Sequence, residues 1–443
     1  MSTYDADVLI VGGGVAGSAM AAYLLERDIS VIVFEKKRFP RDKVCGEGIM
    51  PTGVRLLDKL GVLDRIPSAD KSPFKGITFI AGRARASGDF PGLSDGYPYG
   101  LGIRRIILDD AARLEAEARG ALYLQETGVE SILMDEAPTV KVRAGGREWR
   151  GRLLVGADGS RSKVRRVLGL GGAPAKRRRY GVRAHLRFRD PERMGTYVEV
   201  YALSDGELYT SAVNAQDHLA VILLEQEEMH RFGGRLNAAY DEFIRRHPVL
   251  AERFDGAERV SEAMATGPLR QNVRHVVTDH ALLVGDAAGF VDPITGEGVS
   301  RALLSASMAA PVIADALRAG DTSVGRLRPY EIRRRKEMRS HLIFTHSLLW
   351  LSRHPSIAAF AIDRMGRQPA FFSRLLGINY GRYGFSDLRL KDLGRFILGL
   401  PEPEGDRRPA LGEPTAQTNE GVANRGSAEA EDGGGGQGGA GGG

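Results

Sequence analysis

Cysteine is almost absent: Cys45 is the only one in 443 residues, so no intrachain disulfide can form and no cysteine-rich metal site is available. A reducing, cytoplasmic setting suits such a chain. Tryptophan is scarce as well, at Trp149 and Trp350 only. No apolar run reaches the length of a bilayer, because the most apolar late stretch, residues 341–363, is interrupted by Arg353 and Pro355. Asp5 and Asp7 stand where a signal peptide carries positive charge. A transmembrane helix and a signal peptide are therefore not expected, and peripheral membrane contact stays open. The nine histidines show no metal-ligand spacing, no nucleophile elbow is present, and no module interleaves basic and aromatic residues. Neither a metal nor a nucleic acid partner is expected.

What is present is an ordinary globular composition, 42% hydrophobic, long enough for about two or three structural units. The net charge is +6, and residues 401–443 carry eight acidic and three basic side chains, so −5 on this tail leaves +11 on the body before it. A basic body suits anionic cofactors, acidic carriers or an anionic membrane surface. The tail contains 13 glycines with interspersed Pro and Glu, a composition that predicts disorder.

The chain opens with a buried-strand pattern, Asp7 to Val11, that runs into Gly12-Gly13-Gly14-Val15-Ala16-Gly17 and then a helix. In G-x-G-x-x-G the first glycine permits the tight turn, the second lets a pyrophosphate approach the backbone, and the third lets helix and strand pack closely. The helix N-terminus then faces the phosphate, so Gly12, Gly14, Ala16 and Gly17 are candidate cofactor contacts. A second apolar strand, Ser30 to Phe34, ends in Glu35, 18 residues after Gly17, where a carboxylate can accept hydrogen bonds from a ribose.

Helical spacing follows at Thr52–Leu60 and Leu108–Ala118, with strands at Leu122–Gln125, Gly128–Met134 and Thr139–Val142. Between Phe74 and Ile103 short strand-like pieces separated by glycines predict an inserted antiparallel sheet. Alternating runs from Tyr180 to Leu224 predict a second, substrate-facing sheet. The strand Ala281–Val284 and a helix over Val299–Leu317 return to the cofactor region, and residues 326–400 read as helical. The expected fold is α/β, a Rossmann-like dinucleotide domain with an inserted antiparallel β-sheet substrate domain and C-terminal helices. Residues 1–73, 104–179 and 276–325 form the first; residues 74–103 and 180–275 form the second. A helical region (326–400) and a disordered tail (401–443) complete the chain.

Three separated elements agree: the glycine turn with Glu35, the corner Ala157-Asp158-Gly159, and Gly285-Asp286-Ala287-Ala288-Gly289. Their combination resembles the FAD-binding superfamily of p-hydroxybenzoate hydroxylase over roughly residues 5–320. The stretches Lys43-Val44-Cys45-Gly46-Glu47-Gly48 and Gly289 to Gly298 are most similar to its geranylgeranyl reductase branch. The resemblance implies FAD as cofactor. It assigns Arg41 and Arg105 to cofactor contacts, Val129 to a backbone contact near adenine, and Asp158 and Gly159 to the Asp-Gly corner. Gly285 and Asp286 fall to the ribityl chain, with the ring near Pro293, Gly296 and Gly298. Two departures stand out. Glu47 occupies a position where the branch often has glycine, and residues 206–213 lack the branch's Tyr-x-Trp-x-Phe-Pro strand. The Trp-x-Trp-x-Ile-Pro signature of flavin halogenases is also missing.

Cys45, in the segment that resembles the reductase branch, is a candidate to position substrate or donate a proton, and Glu47 is the second catalytic candidate. No second strand-linked glycine pattern exists for a nicotinamide cofactor, so NAD(P)H as reductant is expected to bind along the cleft. The basic cluster Arg161–Arg189, 11 Lys or Arg before Asp190, reads as a solvated face or as a docking surface for NADPH, a phospholipid or an acyl-carrier protein. The expected activity is reduction of a carbon–carbon double bond in an apolar small molecule. Hydroxylation by an NAD(P)H-driven flavin monooxygenase is the alternative, and a non-catalytic flavin-binding or carrier-docking protein is the third reading.

Overall fold

The computed structural model describes residues 4–136, 139–388 and 390–401; apart from Pro401, the tail expected to be disordered lies outside the described residues. Val8–Val11 and Val31–Phe34 are apolar at every position and buried on both faces, the pattern of strands inside a parallel sheet. They form the middle of a six-stranded sheet with spatial order Val277–Thr278, Ala281–Leu283, Leu153–Gly156, Val8–Val11, Val31–Phe34 and Leu122–Leu124. All neighbours run parallel except the first pair. The helix Val15–Leu25, small and apolar nearly all round, is packed between the helices Arg105–Ala118 and Gly298–Arg318. Val129–Glu136, Thr139–Ala144 and Arg147–Gly151 add a three-stranded antiparallel sheet whose last turn, Gly145-Gly146, has both φ values positive, as a tight hairpin requires.

A second sheet has eight strands. Arg179–Arg187 pairs antiparallel with Asp217–Glu225 over nine residues, and the order continues through Glu207–Ala212, Tyr197–Ala202, Gly76–Ala81 and Ala84–Asp89. The expected antiparallel sheet is present with one departure: Tyr197–Ala202 and Gly76–Ala81 meet in parallel. These strands are joined by a long excursion through the first sheet, and only such a crossover can bring two strands together in parallel. Within residues 74–103, only the hairpin 76–89 joins this sheet, whereas Gly100–Gly102 pairs on one side with Gly48–Ile49 and on the other with Ser72–Phe74 in a small separate sheet.

Leu219 to Leu224 is apolar without alternation, and the fold supplies a reason. Ala220, Ile222 and Leu224 pack with Tyr240, Phe243 and Leu250 from short helices over 226–253, while Leu219, Val221 and Leu223 face the other way. One side of the strand is covered by helices; the other walls a cleft. The helices Val324–Leu351, Pro355–Gly366 and Pro369–Asn379 follow, the last two packed on the 76–89 hairpin. Among the described residues no helix is long and apolar enough to cross a membrane.

Candidate active site

The glycine turn is shaped by steric necessity at two positions. Gly12 has φ +102°, and a Cβ there would lie 2.5 Å from the Ala157 carbonyl oxygen. A Cβ on Gly17 would drive into the Gly12 carbonyl oxygen and lie 3.1 Å from its carbon. Gly14 begins the helix Val15–Leu25 without any side-chain cap, so the first backbone N–H groups are left for a ligand. Glu35 turns back on this turn: its Oε2 accepts from Gly13 N–H at 3.1 Å and its Oε1 from Lys37 N–H at 2.9 Å.

From Glu35 a chain of buried charges runs inward. Arg41 reaches Glu35 at 3.4 Å and Asp109 at 2.9 Å, and Arg105 grips Asp109 through Nε and Nη2 at 2.7 and 2.8 Å. Burial alone would raise the Asp109 carboxyl, yet the two guanidiniums hold it below the usual carboxylate range. Arg105 is itself held above its ordinary value despite burial, by Asp109 and by the adjacent Cys45 thiol. The Arg105 backbone N–H donates to Glu47 Oε1 at 2.9 Å, Glu47 Oε2 pairs with His185 Nε2 at 2.8 Å, and Glu47 N–H donates to Cys45 Sγ at 3.4 Å. Arg183, fully buried, ties His185 to Asp42. Glu47 has φ +54°, a conformation that favours glycine. A glutamate there accepts backbone strain, and its carboxylate joins the first sheet's loops to the second sheet.

Cys45, Glu47 and Arg105 from this chain of groups border a cleft. Gly14, Ala16, Cys45, Glu47, Arg105, Gly159, Asp286, Pro293, Gly296 and Gly298 lie on it, opposite an apolar wall that includes Val198, Val221, Leu223 and Leu269. Other sequence candidates are placed elsewhere. Gly12, Gly17, Glu35 and Arg41 shape the turn from behind. The Val129 carbonyl accepts from Lys163 Nζ at 2.8 Å. The Asp158 carboxylate accepts from Ser162 Oγ at 2.5 Å and from the N–H groups of Lys163 and Val164, so it organises the start of a short helix. Gly285, with φ +58°, donates to Ser305 Oγ and borders a second cavity.

Sequence reasoning missed the second cluster. Arg179 is buried, with Nη1 2.8 Å from Asp292 and Nη2 2.8 Å from Glu207, which also accepts from Tyr209 Oη at 2.9 Å. Burial pushes the Asp292 carboxyl up to about 6 against the pull of Arg179. The available signal was the period-two series Arg179, Arg183, His185, Arg187 on one strand, polar side chains on a face that a strand normally buries only with partners.

Glu297, 2% exposed, opens the helix Gly298–Arg318, and its Oε1 has no partner among the described residues. Burial raises its carboxyl to about 7, with Arg301 pulling it back. A carboxyl whose folded value exceeds its unfolded value of 4.5 subtracts stability as pH rises between the two. Glu297→Gln should therefore gain on the wild type between about pH 4.5 and 7, by on the order of 3 kcal/mol at most, with constant offsets outside that window. Denaturant melts across pH check this, and a constant difference through the window would refute it.

A parallel sheet entered through an uncapped glycine turn, beside an acidic strand end and an apolar cleft, defines a dinucleotide-binding oxidoreductase. The glycine cradle, which side chains would fill, and the free helix N-terminus fit FAD. Residues 5–344 match the FAD binding domain family, and the chain belongs to it, an FAD-dependent oxidoreductase of the p-hydroxybenzoate hydroxylase superfamily. Menaquinone reductase of Mycobacterium tuberculosis is 31% identical over 343 residues, 71% of this chain and 78% of that protein. Digeranylgeranylglycerophospholipid reductase of Methanothrix thermoacetophila is 29% identical over 78% of this chain and 88% of its own length. Conditioned medium factor receptor 1 of Dictyostelium discoideum is 27% identical over 73% of this chain, which spans 66% of that protein. Among solved structures, a flavoprotein/dehydrogenase from Cytophaga hutchinsonii superposes with TM-score 0.75 at 20% identity, covering 85% of this chain and 92% of that one. The flavin-dependent halogenase CmlS reaches 0.72 at 21% identity, covering 90% and 77%. These two likenesses are of fold.

Proposed function

We propose that this oxidoreductase takes two electrons from NAD(P)H and saturates a carbon–carbon double bond of an apolar small molecule. The observation that carries the reading is the pairing of an apolar wall, Val198, Val221, Leu223 and Leu269, with a thiol beside a buried guanidinium, Cys45 and Arg105. The similarity to two reductases supports it.

FAD supplies the two-electron chemistry when bound. Gly12, Gly14, Ala16 and Gly17 would hold its pyrophosphate, Glu35 and Arg41 its ribose end, Asp286 its ribityl chain, and residues 293–298 its ring. Saturating the bond consumes two electrons and two protons. Cys45 holds one proton at Sγ facing the cleft, and Arg105 stabilises the thiolate left behind. Glu47 positions both: its N–H fixes the sulfur and its carboxylate fixes the Arg105 backbone. The apolar wall excludes water. Cys45→Ala should lower substrate reduction by on the order of 10²-fold and leave reduction of the bound flavin by NADPH within about twofold. Stopped-flow absorbance separates the two half-reactions, and an equal fall in both would remove Cys45 from the proton step.

A second reading, oxygen-dependent hydroxylation, is favoured by one feature: the strand Glu207–Ala212 lacks tryptophan and presents Tyr209 to the cleft. Turnover with NADPH and polyprenyl or quinone substrates under strict anaerobiosis decides. Product formed without oxygen supports reduction; product that needs oxygen supports hydroxylation. Access to an apolar substrate suits transient membrane contact, for which Trp350 and Phe360, both about half exposed, are the anchors.

A further inference from the structure

Three cavities adjoin one another. The third is bordered by Lys176, Arg177, Arg179, Arg270 and Arg353. Arg179 is neutralised by Asp292 and Glu207. The other four cations form no ion pair among the described residues, and Arg270 merely donates to Asn272 Oδ1 at 3.1 Å. The loop that carries Lys176 and Arg177 is anchored at its base, where Asn272 Nδ2 donates to the Ala173 carbonyl at 2.7 Å and Gly172 N–H to the Asn272 carbonyl. Val291 and Leu349 add apolar lining, and the Asp292 carboxylate that also borders the pocket is engaged by Arg179. Uncompensated cations around a concavity with part of its lining apolar are a site for a phosphorylated ring compound.

Its place in the fold narrows the ligand. Arg270, Asn272, Val291 and Asp292 also border the second cavity, which shares Asp286, Phe290, Gly298 and Ala302 with the main cleft. Shared walls thus link the cations to the segment 293–298 in a path of three neighbouring cavities. The glycine cradle with Glu35 and Arg41 does not border this pocket, so it is separate from the FAD phosphate position. An extended dinucleotide can span the path with its phosphorylated ribose at the basic end.

We propose that Lys176, Arg177, Arg270 and Arg353 bind the 2′-phosphate of NADPH and so select it over NADH. This rests on the reading that a nicotinamide dinucleotide reduces the flavin, and the test separates the two. Titration calorimetry on the FAD-loaded protein compares 2′,5′-ADP with 5′-AMP, in the wild type and in Arg177→Gln and Arg353→Gln, both at exposed positions. The wild type should bind 2′,5′-ADP at least about tenfold more tightly than 5′-AMP. Each substitution should erase most of that preference and raise the KM for NADPH by a similar factor, with the KM for NADH within about twofold. Equal affinity of the wild type for the two nucleotides overturns the proposal. So does arginine-dependent binding of phosphatidylglycerol vesicles without a 2′,5′-ADP preference, which would give the pocket to a lipid phosphate. If 2′,5′-ADP binds as expected yet neither NADPH nor NADH reduces the flavin, the phosphate site stands and the reductant reading falls.

Discussion

Arg179→Ala should destabilise the protein by about 3–5 kcal/mol at neutral pH, the usual result of removing one partner from a buried ion pair. Arg179 is, among the described residues, the sole cation bonded to both Glu207 and Asp292, and Tyr209, whose hydroxyl is held far above its ordinary range by burial and by Glu207, cannot neutralise either. Truncation leaves two buried carboxylates facing each other. The sign of the pH dependence follows. With Asp292 already raised to about 6 from 3.8, loss of Arg179 raises it further, so the folded variant binds protons more tightly than its unfolded chain. The deficit should therefore shrink as pH falls from 7 to about 6, below which Asp292 carries its proton in the wild type as well and the difference levels off. Arg179→Lys should recover only part of the loss, because one ammonium cannot reproduce two separate guanidinium bonds. Urea melts at pH 7 and pH 5 test this; a loss below about 1 kcal/mol, or one independent of pH, would show that water solvates the cluster.

Gly17→Ala should largely abolish FAD retention. The new methyl would meet the Gly12 carbonyl oxygen and sit 3.4 Å from Ala157 Cβ, so the obstruction is backbone that belongs to the cradle itself. Either the helix Val15–Leu25 lifts off the strand Val8–Val11 or the turn changes shape. Both move the N–H groups that face the phosphate. Overpacking of this kind costs about 3 kcal/mol, equivalent to on the order of 100-fold in affinity if it falls on the bound state. Gly171→Ala, where a Cβ meets nothing within 4 Å and which does not border the cleft, is the control and should retain FAD. Flavin absorbance per protein after gel filtration reads out both, and full occupancy in Gly17→Ala would sink the argument.

The features readable from the chain alone are those set by short-range sterics. Gly12 to Gly17 and Glu35 lie in one strand–helix–strand unit, where neighbouring φ values and a single turn dictate the geometry, so spacing sufficed. Cys45 reached the cleft as its neighbourhood implied, although the guanidinium beside it comes from Arg105, 60 residues on. Asp158 shows the opposite outcome: its short carboxylate satisfies the nearest donors, and the corner contributes Gly159 to the cleft instead. Glu47 stands where resemblance predicts glycine, and its positive φ shows why, but only the folded chain supplies the His185 that makes glutamate tenable there.

Tertiary structure alone decided the rest. Arg179, Glu207 and Asp292 span 113 residues, and nothing local to any of them announces the other two. Nor does periodicity reveal that two edges meet in parallel between 76–81 and 197–202, or that four separated cations ring one pocket. Burial makes such long-range pairs compulsory, since a charge removed from water must find a partner, but it leaves the partner's place in the sequence free. The amino-acid sequence determined that this chain binds a flavin dinucleotide; the packing of its two sheets determined what surrounds it.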